Sequence, residues 1–389
     1  MSITTAIDHH PVGDVVEPEF PEDARILIAH DNLRWYGGAE RTAAIIAEAF
    51  PDAPFWTVFG LREVAERMGV ADRLHTLLPA PDALIRGYRV LGPTYPAVIR
   101  SRRLPEADLL ITSSFAFAHH FRTRNHAPQL CYCHSPLRFA WTMTESYAAE
   151  LTQRRAALRA FQCLARALQS IDRRAARRAS RYVANSHYVA EQIFRFYGRR
   201  AEVVYPPVDC DLFRPADDPG HEGYFLFCSR LVEAYKKPSA VIDAFRSMPG
   251  YRLVVAGDGP ALSGLRRRAT SNVEFKGSVG NSELVTLMQR CAAVIFPSCD
   301  DFGLIPVETM ACGRPVLAYA AGGALETVIP GITGEFFSEQ TPDAVRQAVE
   351  SFDPDAYDSG EIRHHASKWR RERFTREILE AARKTLEEA

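Results

Sequence analysis

Between Ser298 and Glu335 the chain reads SCDDFGLIPVETMACGRPVLAYAAGGALETVIPGITGE, which sets two carboxylates, Asp300 and Glu308, eight positions apart. Phe302, Gly303 and Leu304 stand between them, where the pattern predicts the start of a helix. A helix start offers unpaired N–H groups and the positive end of the dipole, so it suits a phosphate or the hydroxyl edge of a sugar. Glu308 follows along that helix at a rise of roughly 1.5 Å per residue, which lets the two carboxylates reach two parts of one ligand. The same residues also fit a core helix capped by Asp300 or Asp301.

Other residues stand where ligands of open α/β sheets bind, at the carboxyl ends of strands. Arg230 and Lys236 follow a predicted strand in CSRLVEAYKKPSAVIDAF, and two cations there can neutralise a leaving diphosphate, a task that a divalent metal performs elsewhere. Exposed loop cations are the plainer alternative. Gly37 and Gly38 precede a helix in HDNLRWYGGAERTAAIIAEAF, so the backbone can approach an anion closely there, although a simple strand-to-helix turn needs the same pair. His134 ends a strand in LCYCHSPLRFAW. Asn185 and Ser186 open another helix, as N-cap or as cleft residues. VVAGDGPAL holds Gly257 and Gly259 but has Leu262 at the third position of a GxGxxG pattern, so it is not a dinucleotide fingerprint.

These positions need a scaffold, and its outline is readable. From Arg25 onward short apolar runs alternate with helical periodicity, the mark of parallel sheets covered by helices. Strands are predicted at ARILIAH, APFWTVF, ADLLITSS, PQLCYCH, RYVANS and EVVYP, then at GYFLFCSR, YRLVVAGDG, VEFKGS, AAVIFPS and RPVLAYA. PPVDCDLFRPADDPGHEG between the two sets reads as a linker. The divisions expected are a disordered tail over 1–23, one domain over 24–214, a second over 215–365 and a final helix over 366–389.

A chain of 389 residues with 47% hydrophobic and 24% charged content can bury two cores. Its net charge of −1 announces no nucleic-acid partner. The 8 cysteines lack zinc-ribbon spacing and resemble no secreted disulfide scaffold, so buried free thiols are expected. The N-terminal stretch lacks a basic region followed by an apolar run and is read as a mobile tail, not a signal peptide. No apolar run reaches the roughly 18 residues a membrane span requires. Residues 151–181 hold 9 arginines and 1 aspartate. There Leu158, Phe161, Leu164 or Ala165, Leu168 and Ile171 mark a packed side, while Arg155, Arg159, Arg166, Arg173 and Arg177 point elsewhere. Such a face is either simply solvated or suited to an anionic membrane or a lipid diphosphate.

The block from 298 to 335 resembles the donor-sugar signature of retaining glycosyltransferases of family 4. Gly303, Glu308, Ala311, Gly313, Pro315, Gly322, Gly323, Glu326, Thr333 and Gly334 stand where that pattern places them, and Asp300 replaces its first glutamate. The resemblance implies an α/β GT-B architecture, with two facing Rossmann-like domains, an interdomain cleft and a last helix that crosses back to the first domain. It implies that Arg230 and Lys236, or Lys237 in its place, hold the donor diphosphate, with one residue inserted near Ala234. Glu308 would take the ribose hydroxyls, while Asp300 and the N–H groups of Phe302, Gly303 and Leu304 would grip the sugar. Gly37 and Gly38 would face the diphosphate, and Gly257, Gly259, Gly277 and Ser278 would line the nucleotide pocket. His134 would approach the sugar, with Asn185 lining the cleft and Arg138 and Trp141 near the acceptor.

The implied activity is metal-independent transfer of a hexose from a nucleotide sugar, with no cofactor. CHSPLRFAW, VANS, VVYPPVD, DFGLIPVE and ETV look most like bacterial mannosyl- and rhamnosyltransferases of exopolysaccharide or O-antigen assembly. GDP-mannose is therefore the expected donor, and a free or polyprenyl-diphosphate-linked saccharide the acceptor. The location implied is cytoplasmic or peripheral on the inner face of the cytoplasmic membrane, with residues 151–181 as the lipid contact. A UDP-N-acetylhexosamine 2-epimerase of the same architecture and a non-catalytic glycan or nucleotide binder are the rival readings.

Overall fold

The computed structural model describes residues 20–21, 23–79, 85, 94–144, 155–218 and 220–388. The segment read as a tail lies almost wholly outside them, as do residues 151–154 of the basic run. The first sheet comprises β1 (Ile26–His30), β2 (Phe55–Thr57), β3 (Leu74–Thr76), β4 (Leu109–Ser114), β5 (Gln129–Cys133), β6 (Arg181–Ala184) and β7 (Ala201–Val203), in the order β3-β2-β1-β4-β5-β6-β7. The second comprises β8 (Tyr224–Cys228), β9 (Arg252–Ala256), β10 (Val273–Gly277), β11 (Ala293–Phe296), β12 (Val316–Tyr319) and β13 (Gly334–Phe337), in the order β10-β9-β8-β11-β12-β13. Every pairing is parallel.

Both sheets are doubly wound, and each reverses strand order once, at β1/β4 and at β8/β11. Ligand crevices form outside the carboxyl ends of strands at such reversals. β4, β5 and β8 are buried at every position, which is why they read as unbroken apolar runs. The sequence reading omitted β3 and β13. They are only 3 and 4 residues long and lie at sheet edges, where little apolar signal is required.

The basic helix, Arg155–Ala176, is anchored by its one acid. Asp172 is fully buried and accepts Trp141 Nε1–H and Tyr197 O–H at 2.7 Å each, while its other oxygen lies 2.9 and 3.0 Å from Nε2 of His119 and His120. Burial alone would raise this carboxyl, but the two histidines outweigh burial and hold it well below the usual range. These three residues could also be taken as metal ligands. Its oxygens already meet Trp141, Tyr197 and His120, however, and the cluster serves to fix the helix. Ala165 and Leu168 are the buried residues of its apolar side, and Leu164, offered as an alternative to Ala165, is exposed. Among the described residues no helix is long and apolar enough to cross a membrane.

The final helix, Arg371–Glu387, buries Phe374 and Ile378 in the core of the first sheet, against Gly38–Ala49, β4 and β5. Trp369, a few residues earlier, belongs to the core of the second sheet. The chain thus returns across the molecule beside its first crossing, where Val208 N–H donates to Trp369 C=O at 2.8 Å. All eight cysteines are free, and burial pushes the Cys131 thiol up to about 12, so it is no nucleophile at neutral pH.

Removing the Phe374 ring leaves a cavity under β5, where the ring meets Tyr132 edge-on at 5.6 Å. Phe374→Ala should destabilise the protein by about 3–5 kcal/mol, measured by urea unfolding, and Leu379→Ala at its half-buried neighbour by much less. Equal small losses would mean that the crossing helix is not a core element.

Candidate active site

After β11 the chain turns through residues 297–303 and enters the helix Leu304–Ala311. Gly303 is its N-cap, at φ 84°, and a Cβ there would lie 3.0 Å from the Phe296 ring. Neither Asp300 nor Asp301 caps this helix, contrary to that alternative, because each is held by a cation. Asp300 Oδ2 pairs with Lys236 Nζ, and Asp301 with Nε and Nη2 of Arg138, the former at 2.8 Å. Glu308, 2% exposed, pairs with Arg41 Nη2. Asp300 Oδ1 is buried and has no hydrogen-bond partner. Gly322 and Gly323 support the turn from below. Gly323 N–H donates to Asp300 C=O at 3.0 Å, and a Cβ on either glycine would come within 2.3 Å of the turn's backbone.

Arg41 lies on the helix Gly38–Ala49 and Arg138 on the short helix Arg138–Trp141, so two of the three counter-cations come from the first domain. Glu308, its nearest charge, raises the Arg41 guanidinium above its usual range. Burial would lower Arg138, but Asp301 and Asp300 outweigh it. Further bonds join the domains here. Ser186 Oγ–H donates to Asp301 C=O at 2.6 Å, and Glu326 accepts the N–H groups of His187 and Tyr188 at 2.9 Å each. Ser186, not Asn185, caps the helix His187–Tyr197. Gly38 faces Leu304 so closely that a Cβ would lie 2.8 Å from Leu304 Cδ1.

Arg230 is exposed, with its guanidinium 5.1 Å from the centroid of the Trp35 ring, which Arg34 covers at 4.5 Å. Lys236 reaches Asp300, whereas Lys237 sits at φ 49° between two short helices. Gly257 and Gly259 press against the Arg230 loop. Cβ atoms there would come within 1.9 Å of Ser229 C=O and 2.5 Å of Leu231 C=O. Gly277 C=O accepts Gly257 N–H at 2.7 Å, and Ser278 beside it is exposed. Phe302 is buried at the turn. Gly37 N–H donates to Glu40 Oε2 at 2.9 Å. Asn185 Nδ2–H donates to His134 C=O at 3.0 Å. Trp141 Nε1–H donates to Asp172.

His134 directly follows β5, and its Nε2 lies 2.8 Å from Ser113 Oγ. The same hydroxyl lies 3.0 Å from His30 Nδ1, and His30 Nε2 lies 3.7 Å from Glu40 Oε1. A buried polar chain thus runs His30–Ser113–His134 across the carboxyl ends of β1, β4 and β5, with Glu40 near His30 but beyond hydrogen-bond reach. Burial lowers His134 to about 3, with repulsion from His30 and Arg138 adding to it, so the imidazole is neutral. The sequence reading did not name His30, Ser113, Glu40, Arg41 or Trp35 as site residues. His30 and Ser113 were findable as strand-end polar residues at the reversal point. Arg41 carries no such local mark.

Residues 36–212 match the family described as Glycosyltransferase Family 4, and residues 211–373 the family described as Glycosyl transferases group 1. The chain belongs to this family of glycosyltransferases. The D-inositol 3-phosphate glycosyltransferase of Mycobacterium tuberculosis is 36% identical over 184 residues, which is 41% of this chain and 38% of that protein. The chain therefore aligns with well under half the length of that relative. The Anabaena protein Alr3699/HepE, crystallised with UDP, superposes with a TM-score of 0.67 at 19% identity, over 92% of this chain and 100% of the other. Sucrose-phosphate synthase from Thermosynechococcus elongatus gives 0.67 at 16% identity, over 94% and 100%. These likenesses show the fold, GT-B.

The unfolded chain protonates His134 near pH 6.5, whereas the fold keeps it neutral down to about 3. The unfolded state thus binds the extra proton in that window, and stability falls as pH drops from about 6.5 toward 3. Urea titrations across it should show a shallower fall in His134→Gln than in the unmodified protein. Identical slopes would place a protonated imidazole in the fold.

Proposed function

We propose that the protein is a retaining glycosyltransferase that moves a hexose from a nucleotide sugar to a hydroxyl of a saccharide or lipid-linked saccharide. The observation that carries this reading is the bare Asp300 Oδ1, a buried acceptor at a helix start, beside Lys236 and one helix away from Glu308. A buried carboxylate oxygen without a donor is costly, and a sugar hydroxyl supplies the missing donor.

In this reading Arg230 and Lys236 take the diphosphate, and their attraction grows as the leaving oxygens gain negative charge. The N–H groups around Phe302, Gly303 and Leu304 hold sugar hydroxyls. Glu308 exchanges Arg41 for the ribose hydroxyls. His134, being neutral, meets the sugar as a hydrogen-bonding group, held in place by Ser113. The acceptor oxygen bonds to the anomeric carbon on the face from which the phosphate oxygen departs, and the acceptor's proton passes to that phosphate. Fixed cations do the work of a metal in neutralising the diphosphate, and no cofactor takes part.

GDP-mannose is the donor we favour, on the strings shared with mannosyl- and rhamnosyltransferases. The UDP held by the Anabaena neighbour supports a nucleotide sugar as the class, with the base to be decided by experiment. Exposed Arg159, Arg166 and Arg177, with exposed Leu164 among them, support an acceptor presented on an anionic membrane surface, as a polyprenyl diphosphate would be.

Asp300→Ala and Glu308→Ala should each lower turnover at least a hundredfold with a competent acceptor, and two variants that match the unmodified protein would refute the site. Calorimetric titration with GDP, UDP and dTDP should show preference for GDP. A preference for UDP would replace mannose as the donor sugar and leave the reaction class standing.

A further inference from the structure

A second recess lies at the opposite end of the first sheet from the cleft. It is a cavity of about 470 Å³, bordered by Leu110 and Phe121 and by the cationic or basic side chains of Arg103, Arg122, His126 and Arg178. Leu110 stands near the start of β4, whereas Ser114, beside the cleft residues, ends it. Four residues of strand at roughly 3.3 Å each separate the two places by about 13 Å. The recess is therefore no part of the cleft. Its volume is far above the ~30 Å³ share of a water and falls in the range of ligand pockets, about 300–1,000 Å³.

The charges in it are uncompensated. Among the described residues none of Arg103, Arg122 and Arg178 forms an ion pair with a carboxylate; Arg103 lies against the His126 ring at 3.3 Å instead. Asp108 and Glu106, the acids that lead into β4, are turned to Arg25 at 2.9 and 3.9 Å. Arg122 is only half-exposed. Burial, and then repulsion from Arg178, Arg103 and Arg100, pushes its guanidinium down to about 10. Like charges gathered around an open volume without acids are relieved by an anion, and guanidinium groups match phosphate oxygens in pairs.

We propose that this recess binds the phosphate group of a phosphorylated ligand among Arg103, Arg122 and Arg178. A soluble nucleotide or sugar phosphate and a phospholipid head group share this chemistry. The inference does not rest on glycosyl transfer, because no residue of the cleft takes part.

The test is calorimetry with inorganic pyrophosphate on the full chain, together with sedimentation on phosphatidylglycerol vesicles. An Arg230→Ala/Lys236→Ala double variant, which disables the cleft, should retain one pyrophosphate site. Adding Arg122→Gln or the more exposed Arg178→Gln should weaken that site at least tenfold while the melting temperature without anion stays within a few degrees. Vesicle binding that falls in step with both substitutions identifies a lipid head group, and its indifference to them identifies a soluble ligand. Pyrophosphate and vesicle binding that both ignore Arg122→Gln and Arg178→Gln would overturn the proposal, as would the loss of every pyrophosphate site in the cleft variant.

Discussion

Three carboxylates, Asp300, Asp301 and Glu308, crowd into one turn and the start of one helix, and each is kept there by a cation. Only Lys236 belongs to the same domain; Arg138 and Arg41 reach across from the other. Removing one partner leaves a buried carboxylate without its counter-ion, a loss that solvent on the half-exposed guanidinium groups softens. The pairs favour an arrangement in which both domains face the turn. The Gly38–Leu304 approach, the Ser186–Asp301 bond and the capture of Glu326 by the His187–Tyr197 helix all serve that closed arrangement.

The same arrangement bears on the proposed ligand. In the proposed reaction a ligand brings hydroxyls to Asp300 and Glu308 and negative charge to Lys236 and Arg230, and Arg41, 31% exposed, is released from Glu308 toward solvent. A nucleotide sugar has both kinds of group. An inorganic anion satisfies the cations but leaves the carboxylates without donors. On the first-domain side, His134 adds a polar group without adding charge, because burial keeps it neutral while Ser113, itself beside His30, holds it.

Much of this was written in the chain. The strands of a sheet buried on both faces spell continuous apolar runs, and the turn around Asp300 announced itself through glycines whose hydrogens touch backbone. Gly322 and Gly323 are required by the approach of residues 300–302, and Gly257 and Gly259 by the approach of residues 229–231. What stayed hidden was pairing at long range. Arg41 and Glu308 are 267 residues apart, and nothing local to either predicts the other. Asp172 was missed for a different reason: it falls on the packed side of the basic helix, four residues after Leu168, but an acid among arginines reads as surface. The bond from Trp141 to that buried carboxylate on another helix was likewise not legible.

A crystal structure with a sugar nucleotide bound tests the central claim most directly. The account predicts ribose hydroxyls on Glu308 in the place Arg41 now holds, a sugar hydroxyl on Asp300 Oδ1, and phosphates against Arg230 and Lys236. Phosphates bound away from those two cations, with the Arg41–Glu308 and Lys236–Asp300 pairs intact, would contradict it.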